Sequence, residues 1–232
     1  GDAQVMILRW EVAGEWGKLQ ATGTVRLPND SALSYWTMAV ENGTDRALWQ
    51  VAFPRVSGLA DYEEKAPGWL AVPIMMGDKT PNPVSFVNEH EPVVDIWSRE
   101  QYGCFDTEGG PADIAYPYPG YMTMQYLAYG HPESGGLYFG AYDGEALYKN
   151  FGMYADGDTG RHAVVQMKQY PRDRTERSAD FGSFYECPVG VYQGDWWTAS
   201  AIYRDWALEQ FWAAKGPVKD RDEVPQWVKE ND

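Results

Sequence analysis

The sequence predicts an all-β protein: a large antiparallel β-sandwich with one C-terminal helix. Three observations carry this expectation. Runs rich in Val, Tyr, Trp and Phe recur up to Tyr192, separated by Gly, Pro, Asn and Asp turn signals. One stretch, after Gly194, keeps an i, i+3, i+4 apolar spacing long enough for a substantial helix. That stretch comes last, the order of a sheet domain with a helical exit and not of alternating strand–helix units.

Residues 4–13 and 18–27 read as two strands joined by the turn Gly14-Glu15-Trp16-Gly17. Pro28 to Ser31 turns the chain into a third run, 33–40, which Glu41-Asn42-Gly43-Thr44-Asp45 closes. A fourth run spans Leu48 to Val56 with Trp49, Val51 and Phe53 alternating. Pro54 has no N–H to give a ladder, which predicts a sheet edge or a bulge there. From Ser57 to Tyr121 the pattern loosens into short apolar runs at 69–76, 84–87 and 92–97. Ala112 to Tyr121, A-D-I-A-Y-P-Y-P-G-Y, reads as an ordered, extended loop that either clamps one end of the sandwich or binds a ligand. Tyr121–Tyr129 and Gly136–Tyr142 form a hairpin through the turn at 131–135, and runs at 163–170 and 184–192 follow. Pro171 to Asp180 is a charged, solvated loop. The expected total is roughly ten to twelve strands.

The helix is expected to run for about 18 residues. Asp195 stands where a cap can accept from the free N–H groups of the first turn. Lys215-Gly216-Pro217 is the stop. Ala199, Ile202, Tyr203, Trp206, Gln210 and Ala213 share one face, while Trp197, Ala201, Leu208, Phe211 and Trp212 add apolar surface outside it. That surplus predicts a junction packed on two sides, with Asp195, Trp196, Tyr203 and Trp206 as its structural residues. The alternative is a helix folded back onto the β domain with Trp227 as a clasp. The corresponding division is 1–193 for the sandwich, 194–216 for the linking helix, and 217–232 for a tail or the start of a further domain. Gly1-Asp2 leads directly into a strand without a signal-peptide pattern, which reads as the start of a fragment.

Composition bounds the function. With 34 acidic against 19 basic residues the net charge is −15, which disfavours nucleic acid and anionic membranes as partners. The scattered acidity points to a secreted or periplasmic setting. No apolar run is long enough to span a bilayer. Eleven Trp and 16 Tyr against 8 Phe favour surfaces that meet half-polar partners such as sugars, and equally favour wide sheets. Cys104 and Cys187 lie in no metal or redox spacing, leaving one disulfide or two buried thiols. The sequons Asn29-Asp30-Ser31 and Asn42-Gly43-Thr44 read equally as turns.

No catalytic constellation stands out. His90, His131 and His162 each read as solvated. Asp156-Gly157-Asp158-Thr159-Gly160 resembles part of a calcium loop but lacks the downstream glutamate, so a turn is expected, as for Asp143-Gly144-Glu145. Asp106, Glu108, Asp113 and Asp143 are glycosidase-type carboxylates, but nothing singles out a pair. The sequence therefore nominates no catalytic residue, no metal ligand and no cofactor.

Three segments, Y-P-G-Y-M-T-M-Q-Y (118–126), G-G-L-Y-F-G-A-Y-D (135–143) and G-D-W-W-T-A-S-A-I-Y-R-D-W-A (194–207), together carry a resemblance. Their order resembles the N-terminal β-supersandwich domain, galactose-mutarotase-like in fold, of bacterial glycoside hydrolases. The catalytic part of those enzymes is a (β/α)₈ barrel related to alpha-galactosidases and endo-alpha-N-acetylgalactosaminidases. The resemblance implies a carbohydrate-associated half whose catalytic carboxylates sit on the barrel strands. It implies two partners: a glycan or oligosaccharide, contacted by Tyr116, Tyr118 and Tyr121, and a (β/α)₈ catalytic domain in the same or another chain. The other readings are an independent carbohydrate-binding module and a mutarotase- or lyase-like enzyme working on the concave face.

Overall fold

A computed structural model describes residues 2–61, 67–89, 113–131, 133–155 and 162–230. The protein is an all-β sandwich with a helix near its C-terminus. Among the described residues, nine strands form one antiparallel sheet in the order β1-β2-β3-β13-β9-β8-β5-β6, with β12 also on β3. These are β1 (Ala3–Gly14), β2 (Gly17–Pro28), β3 (Leu33–Thr44), β5 (Trp69–Val72), β6 (Asp78–Pro81), β8 (Tyr126–His131), β9 (Gly135–Gly140), β12 (Phe181–Gly182) and β13 (Cys187–Tyr192). The second sheet has four strands in the order β4-β11-β10-β7: β4 (Val51–Leu59), β11 (Ala163–Gln169), β10 (Lys149–Ala155) and β7 (Asp113–Tyr118).

The core lies between the sheets. Leu127, Phe139 and Cys187 from the large sheet meet Phe151, Met153, Val165 and Met167 from the small one. Phe139 and Phe151 pack edge to face with centroids 6.3 Å apart. Pro54 lies on β4, an edge strand whose register against β11 shifts, as the missing N–H requires. β8 is buried on both faces and so shows no apolar–polar alternation. Its inward Leu127 and Tyr129 join the core, while Tyr126 and Ala128 face a helix on the outside of the sheet.

Several expectations are corrected. The Pro- and Tyr-rich stretch is not a loop: Asp113–Tyr118 is β7, laddered along β10 from Tyr154 to Lys149. It is an edge strand, where Pro117 is tolerated. The run at 84–87 is helical and belongs to α1 (Pro83–Glu89). The long helix, α2 (Trp196–Leu208), has 13 residues, and a 3₁₀ turn at Phe211–Ala213 follows it. Among the described residues the last helix, α3 (Gln226–Lys229), is one turn, and its Trp227 is 67% exposed and not the expected clasp. His131 is buried, its Nδ1 accepting from the Glu133 N–H at 3.2 Å, and is not solvated. The third run does not turn at Glu41: β3 continues to Thr44 in register with β2, and Asn42 is buried there with its Nδ2 donating to the Arg46 carbonyl at 2.8 Å, which leaves no room for a glycan. Cys187 is a buried free thiol, whose pKa burial pushes upward. His90, Cys104, Asp106, Glu108, the 92–97 run and the 156–160 loop lie outside the described residues. No helix among the described residues is long and apolar enough to cross a membrane.

Candidate functional site

Of the junction residues, Tyr203 and Trp206 come together where α2 lies on the outer face of β8 and β9. Asp195 caps the helix as its position predicts, accepting from the N–H groups of Trp197 (3.0 Å) and Thr198 (3.4 Å). Ala199 and Tyr203 are the buried residues of α2. Tyr126 stacks on Tyr138 (5.5 Å, 15°) and leans on Tyr203 (5.5 Å), while its hydroxyl meets the Ser200 Oγ at 2.7 Å. Trp206 lies flat on Tyr142, centroids 4.8 Å apart at 4°, and contacts Tyr203 and Trp212. The result is a continuous aromatic seam. Burial pushes the Tyr203 hydroxyl up to about 12, so it stays protonated at neutral pH.

Behind the seam sits a buried polar knot. The Lys149 Nζ donates to Asp143 Oδ2 (2.6 Å), Gln125 Oε1 (2.8 Å) and the Leu147 carbonyl (2.6 Å). The rings of Tyr118 and Tyr185 stand 4.7 Å from it. Asp143 also accepts from the backbone N–H groups of Glu145 and Leu147. Burial pulls the Lys149 ammonium below its ordinary pKa, against the bond to Asp143, which favours the charged form. An ion pair this enclosed needs partners for its polar atoms, and here all three ammonium protons and both carboxylate oxygens have them. Of the four glycosidase-type carboxylates, Asp143 is thus spent on the turn at Gly144-Glu145 and on Lys149. Among the described residues no group of three metal-ligating side chains assembles.

The sugar-contact candidates separate. Tyr116 is 3% exposed in the core, because it faces Phe151 across the β7–β10 ladder, and cannot stack on a sugar. Tyr121 is half-buried against the same core. Tyr118, also half-buried against that core, lines a groove of about 670 Å³ with Tyr203, Phe211 and Trp212. The structure therefore joins one predicted sugar residue to the predicted junction. Trp196 lies at a separate hollow of about 370 Å³ beside Met75 and Met76. Sequence reasoning missed a further hollow of about 420 Å³ on the small sheet, between Trp49, Tyr148, Tyr170 and Arg174. Its residues are dispersed along the chain, and only the pairing of β4, β11 and β10 collects them.

Fold and seam together define an all-β sandwich that carries an aromatic surface on a terminal helix. Residues 181–232, which span β12, β13, α2 and the segment after it, match the family described as a domain of unknown function (DUF6259). No curated protein matches the chain.

Proposed function

We propose that the protein is a non-catalytic, carbohydrate-associated β-sandwich domain of a secreted or periplasmic glycoside hydrolase. It packs on a (β/α)₈ catalytic domain through α2 and shapes one wall of the substrate cleft. The observation that carries this reading is the unpartnered flank of α2 and the turn after it. Trp197 is 64% exposed at the start of the helix, Leu208 is exposed at its end, and Phe211, packed on Trp212, is 79% exposed in the turn after it, while the opposite face of the same helix is sealed onto β8 and β9. Large apolar side chains left exposed at both ends of one helix mark an interaction surface. The groove at Tyr118 and Trp212 opens at the edge of that flank, where a docked domain would complete it into a cleft.

The experiment is co-purification of this chain with a (β/α)₈ glycosidase domain encoded with it. The two should form a complex that Trp197→Ser combined with Phe211→Ser abolishes without lowering the melting temperature of the chain. Turnover of aryl glycosides by this chain alone would defeat the non-catalytic assignment. Association indifferent to the double substitution would defeat docking through α2.

A further inference from the structure

The outer face of the small sheet carries a hollow unlike the rest of the surface. On β11 the side chains of Val165 and Met167 enter the core, and Lys168 points the opposite way. On β10 Phe151 and Met153 enter the core and Asn150 faces outward, paired in register with Lys168. Tyr148 before β10, Trp49 before β4 and Arg174 after β11 rise around this floor.

Three observations point to a ligand. First, Asn150 is 2% exposed; its Nδ2 donates to the Tyr170 hydroxyl at 2.7 Å, but its Oδ1 is buried with no partner. Native structures leave few such atoms unsatisfied, and Asn150 is one of the residues that line the hollow. Second, the walls are aromatic. Tyr148 and Tyr170 pack at 5.2 Å, and Trp49 and Tyr148 keep much of their rings exposed. Third, the charge is reversed. In a chain of net charge −15, the hollow is lined among the described residues by Lys168 and Arg174 and by no carboxylate. Arg174 lies over Trp49 (4.9 Å) and Tyr170 (5.0 Å), and no acidic group among the described residues pairs with it. A cluster that served packing alone would neutralise Arg174 with one of the many carboxylates and close over the amide of Asn150.

We propose that this hollow binds an acidic sugar: an oligosaccharide in which a uronate carboxylate lies against the Arg174 guanidinium. The apolar face of the pyranose rests on the exposed rings of Trp49 and Tyr148, and a ring hydroxyl donates to Asn150 Oδ1. Planar guanidinium groups hold carboxylates through paired N–H donors, and aromatic faces accept the C–H face of a pyranose. The inference rests on the carbohydrate reading above but not on docking through α2.

The test is calorimetry of the whole chain against oligogalacturonate and glucuronic-acid-substituted xylo-oligosaccharide, with unsubstituted xylo-oligosaccharide as the neutral control. An acidic oligosaccharide should bind at least about tenfold tighter than the neutral one, and more weakly as salt rises. Arg174→Gln should remove that preference, and Trp49→Ala should weaken acidic and neutral sugars alike, both at unchanged melting temperature. Binding of the neutral sugar only would overturn the acidic assignment while leaving the carbohydrate reading intact. No binding to any of the three sugars overturns the site. So does acidic binding that both substitutions leave unchanged, since the ligand would then sit elsewhere.

Discussion

Two parts of one sheet behave as opposites. Every residue of β8 in the middle is buried, whereas no residue of β1 at the edge is buried and Leu8 alone of its twelve is not exposed. Yet β1 pairs with β2 without a break, from Ala3 opposite Pro28 to Gly14 opposite Gly17. Backbone pairing propagates past the end of the core. The middle strands are held by packing on two faces, against the small sheet on one side and α2 on the other. The outer wing is held by its ladder and by contacts such as Trp10 against Phe53, at 6.3 Å. Local stability in a protein follows buried apolar contact more than strand length, so the sheet should weaken outward.

The largest expected effect is at the centre. Phe139 is fully buried and meets Phe151. Phe139→Ala leaves a cavity that the two packed sheets cannot collapse to fill, and should cost about 3–5 kcal/mol in urea unfolding. A loss below about 2 kcal/mol would mean the centre is looser than its burial implies. Next comes the seam. Trp206 is partly exposed but lies flat on Tyr142, so Trp206→Ala should cost about 2–3 kcal/mol. If Trp206→Ala matched Phe139→Ala, α2 would belong to the core and not to a junction. Asp195→Ala removes one helix cap and should cost about 1 kcal/mol, read as a shift in urea midpoint at constant slope.

What the sequence made legible, and what it hid, follows the same physics. The hairpin of β1 and β2 is readable because its boundary is local, the Gly14–Gly17 turn with β-branched and aromatic residues on either side, whereas the Asn42-Gly43-Thr44 signal misleads: β3 runs through it in register with β2. The helix start was readable because Asp195 caps within its own neighbourhood. α1 was not, because its cap is remote: the Asp61 carboxylate accepts from the Val84 and Ser85 N–H groups, 23 and 24 residues along the chain. β10 and β7 are hidden in the sequence because Lys149, Asn150 and Gly152 in the one and Pro117 in the other speak against strands. They become strands only by pairing with each other and with β11. The helix was overextended because Gln210 and Ala213 keep the period. The Gln210 side chain instead donates to the Trp206 carbonyl at 3.1 Å, its backbone turns extended, and Trp212 folds back on Trp206. The aromatic groove was half legible, since Tyr118 and Tyr203 were both nominated but for different roles. The acidic-sugar hollow was invisible, because Trp49, Asn150 and Arg174 belong to three separate segments.

The smallest expected effect is the sharpest check on the wing. Val12 is 67% exposed on β1, so Val12→Thr keeps a β-branched residue in the ladder and removes little buried surface. The unfolding free energy should change by less than about 0.5 kcal/mol. A long apolar edge strand is also a surface that other strands can join. A cost above about 1 kcal/mol, with a melting temperature that rises with protein concentration, would therefore mean that β1 is covered in solution by another copy of the chain. The outward loss of packing would then belong to the isolated monomer alone. A small effect independent of concentration leaves the wing as a ladder that stands on backbone hydrogen bonds, with its apolar side chains in water.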